Sequence, residues 1–437
     1  MRHGKARNQF TIRFAPVIYL AGIFVGSTGG SVGLGVAGSI SAIVLANLLV
    51  SIGTGLCAAM GPRLGMPQIP MGRASFGQVG NHPPAGLPVL VFVGYYTVGV
   101  ILGAEIVGRP LRHVVRAVIV IIAALSIGIG MYVHSALHLI GRWTTYISMV
   151  VLAAVSVHLI AHGPRAGAES TLSGSDYMVP WLLQFTVVFG YKVSWGPFAS
   201  DYSRYLTEST SAKSIFGWAS SGLFAATTWM MVLGAGLISL DPGGDVIDAF
   251  ALVLPNWLLV ITLLTLGLSA IPHNSVNLYS GAMAALTCNL SIRQGIIVVI
   301  AGVFGGILGL MFGGEHFQQN FALFLHVISY YITPWLAILL VTFFKAYRVG
   351  SGPPPVEEFY DHSGAFAGIS WPGLGALLSG IVMSVPFMGN ELYMGPIADQ
   401  IGGVDLSYFV SGLVAAMIYL AFAKPVRATE MSSRARR

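Results

Sequence analysis

Charged residues are scarce in this chain: Asp, Glu, Lys and Arg together make up 9% of its 437 residues, whereas 55% are hydrophobic. A soluble domain carries about 25% charged residues, so this composition excludes an ordinary water-soluble protein. Cysteine is almost missing too, with Cys57 and Cys288 alone. Both lie in or beside apolar runs, so we expect no disulfide framework.

Long polar segments are also missing. The longest gaps between apolar runs, about residues 61–85 and 346–371, are too short to bury a core of their own. We therefore predict one transmembrane domain over residues 1–437. The sequence shows no paired carboxylates and no run of His and Cys at metal-ligand spacing beside an acidic partner, so neither an enzyme nor a metal site is expected. A channel or a membrane sensor is a remote alternative.

What the chain does contain is apolar runs of membrane-spanning length. A hydrocarbon core of about 30 Å needs roughly 20 apolar residues per helix. We predict an all-α polytopic membrane protein with about twelve spans. They cover residues 14–36, 38–60, 86–108, 113–133, 143–161, 181–205, 214–240, 256–288, 292–313, 317–345, 372–388 and 406–423.

The basic residues predict how the chain is oriented. With about twelve crossings, most of the 22 Lys and Arg residues fall on the side of the N-terminus. Such residues accumulate in cytoplasmic loops, so we predict a multi-pass protein of the plasma membrane with both termini in the cytoplasm. The net charge of +6 follows from this orientation and does not indicate nucleic acid. The lipid bilayer is the expected environment, and no obligate protein partner is inferred.

Two interruptions occur at matching places in the apolar pattern. Residues 26–30, GSTGG, interrupt the first span, and residues 190–197, GYKVSWGP, interrupt the sixth. Non-helical backbone at this depth is tolerated only where protein or a wet cavity supplies partners. Paired broken helices at equivalent positions indicate a binding site at the midplane. The alternative is that these glycines only allow close helix packing.

The same spacing predicts an inverted repeat. Five spans precede the sixth, which gives a first repeat of about residues 14–161 and a second of about 181–345, with extra helices at about 372–423. An odd number of spans inverts the second repeat in the membrane. Within the second repeat, Pro272 and His273 predict that the eighth span is bent or broken.

Four sequence blocks resemble one transporter family. Residues 195–205 read WGPFASDYSRY and residues 274–281 read NSVNLYSG; weaker blocks are RASFG at 73–77 and PWLAI at 334–338. Their residues and their order along the chain resemble the purine-cytosine permease branch of the nucleobase-cation symporters. Members of that branch transport cytosine, purines, uracil, thiamine or allantoin. The resemblance covers essentially the whole chain. It implies a leucine-transporter-like five-plus-five fold and import of a nucleobase or related heterocycle, with cytosine or a purine favoured.

The resemblance places the substrate between the first, third, sixth and eighth spans. A nucleobase is flat, so an aromatic ring can stack on it, which contributes about 1–3 kcal/mol per base, and an Asn can pair with its edge. The third span offers Tyr95 and Tyr96, of which Tyr95 is expected to be an anchor or packing residue. The predicted substrate-binding residues are Tyr96, Tyr191, Lys192, Ser194, Trp195, Asn274 and Asn277. Plainer roles compete with these: interface anchoring for the aromatics, helix packing for Asn277 and backbone capping for Ser194.

Lys192 is the strongest single indication of a functional site, because a lysine near the bilayer centre costs about 2.5–3.5 kcal/mol. Two roles fit it, namely binding a substrate carbonyl or carboxylate and titrating during coupling. The alternative is a lysine that snorkels to one interface. A Lys192 that faces the site favours an acidic or carbonyl-rich ligand over cytosine. The competing hypothesis is therefore the same fold carrying another solute, such as a vitamin, a hydantoin-like or allantoin-like compound, or an amino acid.

The coupling ion is expected to be H⁺ or Na⁺, with no organic cofactor. Sodium-using members of the resembled family place hydroxyl side chains just before the first Asn of the eighth-span motif, and carbonyls of the first span, here Gly26, join them. This chain has Pro272 and His273 there, with Ser269 as the only nearby hydroxyl. Hard cations prefer oxygen ligands, so protons are favoured, with His273 or Lys192 titrating. The alternative for His273 is a packing role.

One charged pair is predicted at the inner end of the sixth span. Asp201 and Arg204 lie three residues apart, which brings side chains together on a helix. We expect this pair to act as a gate or as a structural contact.

Overall fold

The computed structural model of the chain describes residues 4–108, 114–132, 134–162, 170, 172, 174–286, 292–313, 317–346, 354–390 and 392–423. Cys288 and the basic residues after residue 423 lie outside the described residues. In chain order the helices are α1 (Asn8–Phe14), α2 (Leu20–Ser31), α3 (Val36–Leu64), α4 (Gln68–Met71), α5 (Arg73–Phe76), α6 (His82–Gly108), α7 (Val115–Tyr132), α8 (His134–His162), α9 (Ser175–Val193), α10 (Ala199–Ser203), α11 (Ala212–Ile238), α12 (Val246–Val253), α13 (Asn256–Leu286), α14 (Gln294–Phe312), α15 (Phe317–Ala346), α16 (Trp371–Ser384), α17 (Pro396–Gln400) and α18 (Ser407–Phe422).

The remaining regular structure is short. Single 3₁₀ turns occupy Ala15–Val17, Gly196–Phe198, Val356–Phe359 and Val385–Phe387. The strands β1 (Gly389–Asn390) and β2 (Tyr393–Met394) pair antiparallel between α16 and α17, with Gly389 opposite Met394.

Membrane-length helices confirm the predicted all-α polytopic fold. Within the described ranges, seven helices are long and apolar enough to cross a membrane, and α1 with α2 forms an eighth, bent by 67°. Three shorter apolar helices begin at Val115, Trp371 and Ser407. Together with α9 and α10, the described helices overlap every predicted span. The count of twelve spans is consistent with this arrangement, and the division into two repeats stays a prediction.

The first span breaks earlier than its glycines predict. Residues 20–31 form one continuous helix, so the predicted break at residues 26–30 is wrong. The chain leaves the helix at Ile18 and Tyr19, and Tyr19 is fully extended (φ −155°, ψ 151°). Gly26 has a packing role instead, because a Cβ atom there would clash with the backbone of Met231 on α11. Small residues let membrane helices approach in this way.

The sixth span breaks within the predicted segment. α9 ends at Val193, the 3₁₀ turn at Gly196–Phe198 follows, and α10 begins at Ala199. Ser194 Oγ donates to the Tyr191 carbonyl oxygen at 2.8 Å, so a side chain supplies a hydrogen bond at the break. The eighth span differs, since α13 continues through Pro272 as one helix and is not broken.

A buried arginine joins the two broken spans. Arg13, on α1, donates to the carbonyl oxygen of Ala199 at the start of α10, at 2.6 Å, and also to the Gln9 side chain. Gln9 Nε2 in turn donates to the Tyr202 carbonyl oxygen at 3.3 Å. In the same bundle, α11 packs against α2 and α3, and α13 packs along α6. The tertiary structure thus brings both breaks to one place beside α6 and α13.

Candidate functional site

A cavity of about 520 Å³ lies where the two broken spans meet α6, α8 and α13. Its deep end is formed by the buried Ile18 and Tyr19 at the first break, and exposed Thr11, Arg142 and Tyr205 form its mouth. The cavity therefore opens at the end of the bundle that carries α1. It reaches inward as far as the break in the first span.

The structure brings together most of the predicted site residues, but not all of them. Six of them line the cavity, namely Tyr191, Ser194, Trp195, Ser269, His273 and Asn277. Four do not line it, namely Gly26, Tyr96, Lys192 and Asn274. The predicted location between the first, third, sixth and eighth spans agrees with the position of the cavity, and α8 contributes a further wall.

On the third span, Tyr95 faces the cavity in place of the predicted Tyr96. The Tyr95 hydroxyl lies 2.9 Å from both the Tyr191 carbonyl oxygen and Ser194 Oγ. The Tyr96 ring is fully buried, and its hydroxyl donates to the Ala123 carbonyl oxygen at 3.4 Å. Adjacent residues point about 100° apart on a helix. The signal that identifies Tyr95 is its spacing of three and four from Phe92 and Val91, which line the same wall.

Lys192 lies one layer behind the cavity wall. Its side chain is 1% exposed, so the snorkelling alternative is wrong. Nζ lies 4.8 Å from the ring centroid of Tyr191 and 5.8 Å from that of Trp195, and it has no hydrogen-bond partner. Each cation–π contact contributes about 0.5–2 kcal/mol, but neither satisfies an N–H donor of the ammonium with a hydrogen bond. The described residues therefore stabilise this ammonium only in part.

Two further buried groups without partners lie near the deep end. Asn274 is fully buried, and neither its Oδ1 nor its Nδ2 has a hydrogen-bond partner. The Tyr19 hydroxyl also has none. A Cβ atom on Gly99 would contact Asn274 Oδ1 and the Tyr19 hydroxyl, so this glycine leaves room for both groups. Asn277, three residues after Asn274, is the amide that reaches the cavity.

The predicted cation ligands do not converge. Ser269 Oγ donates to the Leu266 carbonyl oxygen of its own helix at 2.7 Å. Gly26 lies inside the continuous α2, packed on Met231, where its carbonyl belongs to a helix instead of to a break. Over the described ranges, no group of three or more His, Cys, Asp or Glu side chains is placed to hold a metal ion.

Asp201 and Arg204 take separate partners. An Asp201 carboxylate oxygen accepts from the Gln68 backbone N–H at 2.7 Å. Arg204 donates to the Tyr205 hydroxyl at 2.7 Å and lies over the Tyr205 ring. The backbone of Arg204 is still helical, since its N–H donates to the Ser200 carbonyl oxygen at 2.9 Å, so it is the partners of the two side chains, and not the end of α10, that separate the predicted pair.

A family model described as permease for cytosine/purines, uracil, thiamine and allantoin matches residues 1–411. The chain is 27% identical to the putative purine-cytosine permease YxlA of Bacillus subtilis (strain 168), over 97% of this chain and 93% of that protein.

Solved structures share the fold. The inward-facing conformation of Mhp1 superposes with a TM-score of 0.77 at 17% identity, covering 100% of this chain and 92% of that one. A closed conformation of Mhp1, a nucleobase-cation-symport-1 family transporter with bromovinylhydantoin bound, gives a TM-score of 0.75 at 17% identity, covering 99% and 94%.

Proposed function

The chain belongs to the family of permeases for cytosine and purines, uracil, thiamine and allantoin, and on that premise we propose that it is a symporter importing a nucleobase or related planar heterocycle. Members of this family are membrane transporters and not enzymes. The observation that carries the proposal is the cavity of about 520 Å³ between two broken helices and α13. Discontinuous helices around a central site are the usual architecture for alternating access.

The lining of the cavity suits a flat, polar-edged ligand. Tyr191, Trp195 and Tyr95 offer aromatic faces, and the Asn277 amide offers a donor and an acceptor to the edge of a base. We assign stacking to Trp195 and Tyr191 and edge recognition to Asn277. The family resemblance favours cytosine or a purine as the substrate. Mhp1, which shares the fold, was solved with a hydantoin bound.

We propose that both termini are cytoplasmic and that the protein resides in the plasma membrane. The excess of Lys and Arg on the α1 side supports this orientation. With this orientation, the mouth at Thr11, Arg142 and Tyr205 faces the cytoplasm, and the structure represents a state that releases substrate inward. Rocking of the broken spans against the rest of the bundle would then close this mouth.

We propose protons as the coupling ion. The segment before Asn274 presents Pro272 and His273, and the Ser269 hydroxyl is engaged by its own helix. Gly26, the first-span position implied by the resemblance, lies away from the cavity. Sodium prefers oxygen ligands, and the two expected here, from Ser269 and Gly26, do not converge, whereas the His273 imidazole can bind and release a proton.

Uptake into proteoliposomes tests the proposal. Labelled cytosine, adenine, hypoxanthine, uracil and allantoin are each offered with an imposed proton gradient or sodium gradient. We expect at least one base to accumulate under the proton gradient alone. Accumulation that requires sodium would overturn the coupling assignment. Accumulation of none of the five under either gradient would overturn the substrate class and favour another solute, such as a vitamin or an amino acid.

A further inference from the structure

The charges around the cavity all have one sign. Among the described residues that line it, Arg142 is the one permanently charged side chain, and none is Asp or Glu. Lys192 adds a second positive group directly behind the wall. A cavity with low-dielectric walls strengthens the field of such groups. The lining therefore favours a ligand with negative charge or negative edges and disfavours a cationic one.

The hydrogen-bonding groups around the cavity are biased in the same way, toward donors. Lys and Arg side chains only donate, whereas Ser, Tyr, Asn and neutral His side chains can both donate and accept. The side chains restricted to one role at this site, Arg142, Lys192 and the Trp195 indole, are thus all donors. No carboxylate lines the described walls to accept from an amino group. Ser194 is already engaged, since it donates to Tyr191 and lies 2.9 Å from the Tyr95 hydroxyl.

Lys192 is the group that most requires an acceptor. Its ammonium is buried without a hydrogen-bond partner, and it lies within 6 Å of the ring centroids of two lining residues, Tyr191 and Trp195. Burial of an unpaired charge is strongly unfavourable. A ligand stacked on these rings with a carbonyl or anionic edge toward Lys192 would be attracted by the field of this group across the ring layer. An exocyclic amino group at the same place would turn a positive edge toward a positive group.

We propose that the cavity selects oxo-heterocycles, whose edges carry ring carbonyls or a delocalised negative charge, over their amino counterparts. The inference rests on the proposed function and narrows its substrate class. It places uracil above cytosine and hypoxanthine above adenine, and it reverses the cytosine preference expected from the family resemblance. Within each pair the two bases share a ring and differ mainly by a carbonyl in place of an amino group, so stacking contributes similarly to both.

The test is direct binding of the four bases to the purified full-length chain by isothermal titration calorimetry. We expect uracil and hypoxanthine to bind about tenfold more tightly than cytosine and adenine, because the positive groups around the cavity favour a carbonyl edge over an amino edge. Equal affinities, or tighter binding of the amino bases, would overturn this inference and leave the proposed function standing. Binding of none of the four would count against the proposed function itself.

A lysine variant tests the origin of the preference. Lys192→Met keeps the length of the side chain and removes its charge, and we expect it to reduce the preference within each pair to about threefold or less. Lys192→Arg keeps the charge, and Lys213→Met removes an exposed lysine on α11; we expect both to retain the wild-type order. A preference that survives unchanged in Lys192→Met would overturn the role of this ammonium.

Thermal stability separates this role from a structural one. Because Lys192 has no hydrogen-bond partner among the described residues and only two ring contacts, we expect Lys192→Met to unfold at the same temperature as the wild type or higher. A marked fall in its melting temperature would indicate a structural lysine instead. The affinities of the oxo and amino bases for the wild-type protein do not depend on this variant. They decide the proposal even if the variant does not fold.

Discussion

The imidazole ring of His273 stacks on the ring of Tyr19, with centroids 4.3 Å apart and 14° between the ring planes. Tyr19 lies at the break between α1 and α2, whereas His273 lies inside the continuous α13. The contact thus joins the break in the first span to the helix that carries Asn277. A change in the charge of the imidazole would act directly on this stack, and through it on the orientation of α1.

The first prediction concerns coupling through His273. We expect His273→Gln to abolish proton-driven accumulation of substrate, because glutamine can still hydrogen-bond but cannot titrate. Exchange of labelled for unlabelled substrate should persist, since it needs no net proton movement. Both are measured in proteoliposomes. His273→Phe preserves a stacking ring, and full accumulation in that variant would assign His273 a packing role.

The second prediction concerns stacking on Trp195, which lines the cavity and is partly exposed to it. Trp195→Ala should weaken substrate binding by about 5-fold to 150-fold, corresponding to the loss of about 1–3 kcal/mol per stacked base. Trp195→Phe should recover most of the affinity. Calorimetry on the purified chain measures the effect. Trp143→Ala serves as the control, because Trp143 is exposed outside the cavity lining, and an equal loss there would contradict stacking as the cause.

The third prediction compares two adjacent tyrosines. Tyr95→Phe removes the hydroxyl that lies 2.9 Å from the Tyr191 carbonyl oxygen and from Ser194 Oγ at the sixth-span break. We expect it to reduce the initial rate of uptake several-fold, about the effect of one lost hydrogen bond of 0.5–1.5 kcal/mol. Tyr96→Phe removes a hydroxyl that reaches only the Ala123 carbonyl oxygen, and transport should be unchanged. The opposite order would contradict the assignment of Tyr95 to the cavity.

The fourth prediction concerns the packing role of Gly26. Gly26→Ala would place a methyl group against the backbone of Met231, which cannot yield like a flexible side chain, so α2 and α11 must separate. We expect a fall in melting temperature large enough to reduce the yield of folded protein. Gly217→Ala is the matched control on α11, because a Cβ atom there meets nothing within 4 Å. Alanine is favoured over glycine in a helix by about 1 kcal/mol, so this control should be neutral or slightly stabilising.

The sequence predicted the sixth-span break better than the first-span break, and the difference has a physical reason. Around Trp195 and Pro197, the missing proline N–H and the polar side chains indicate where the helix must stop. In the first span, the signal was the run GSTGG, and glycine serves both broken helices and close packing. Nothing local distinguishes Gly26, which packs against Met231, from a glycine at a break.

Membership of a polytopic, all-α membrane family was determined by the sequence itself, because composition and apolar run length decide where a chain can reside in a bilayer. The sequence also contained the aromatic and amide residues that the site uses. Only the tertiary structure decided which of them meet. The orientation of α6 about its own axis turns Tyr95, and not Tyr96, toward the cavity. Lys192 lies behind Tyr191 and Trp195. The convergence of two breaks separated by more than four helices depends on long-range packing, which no local pattern of residues specifies.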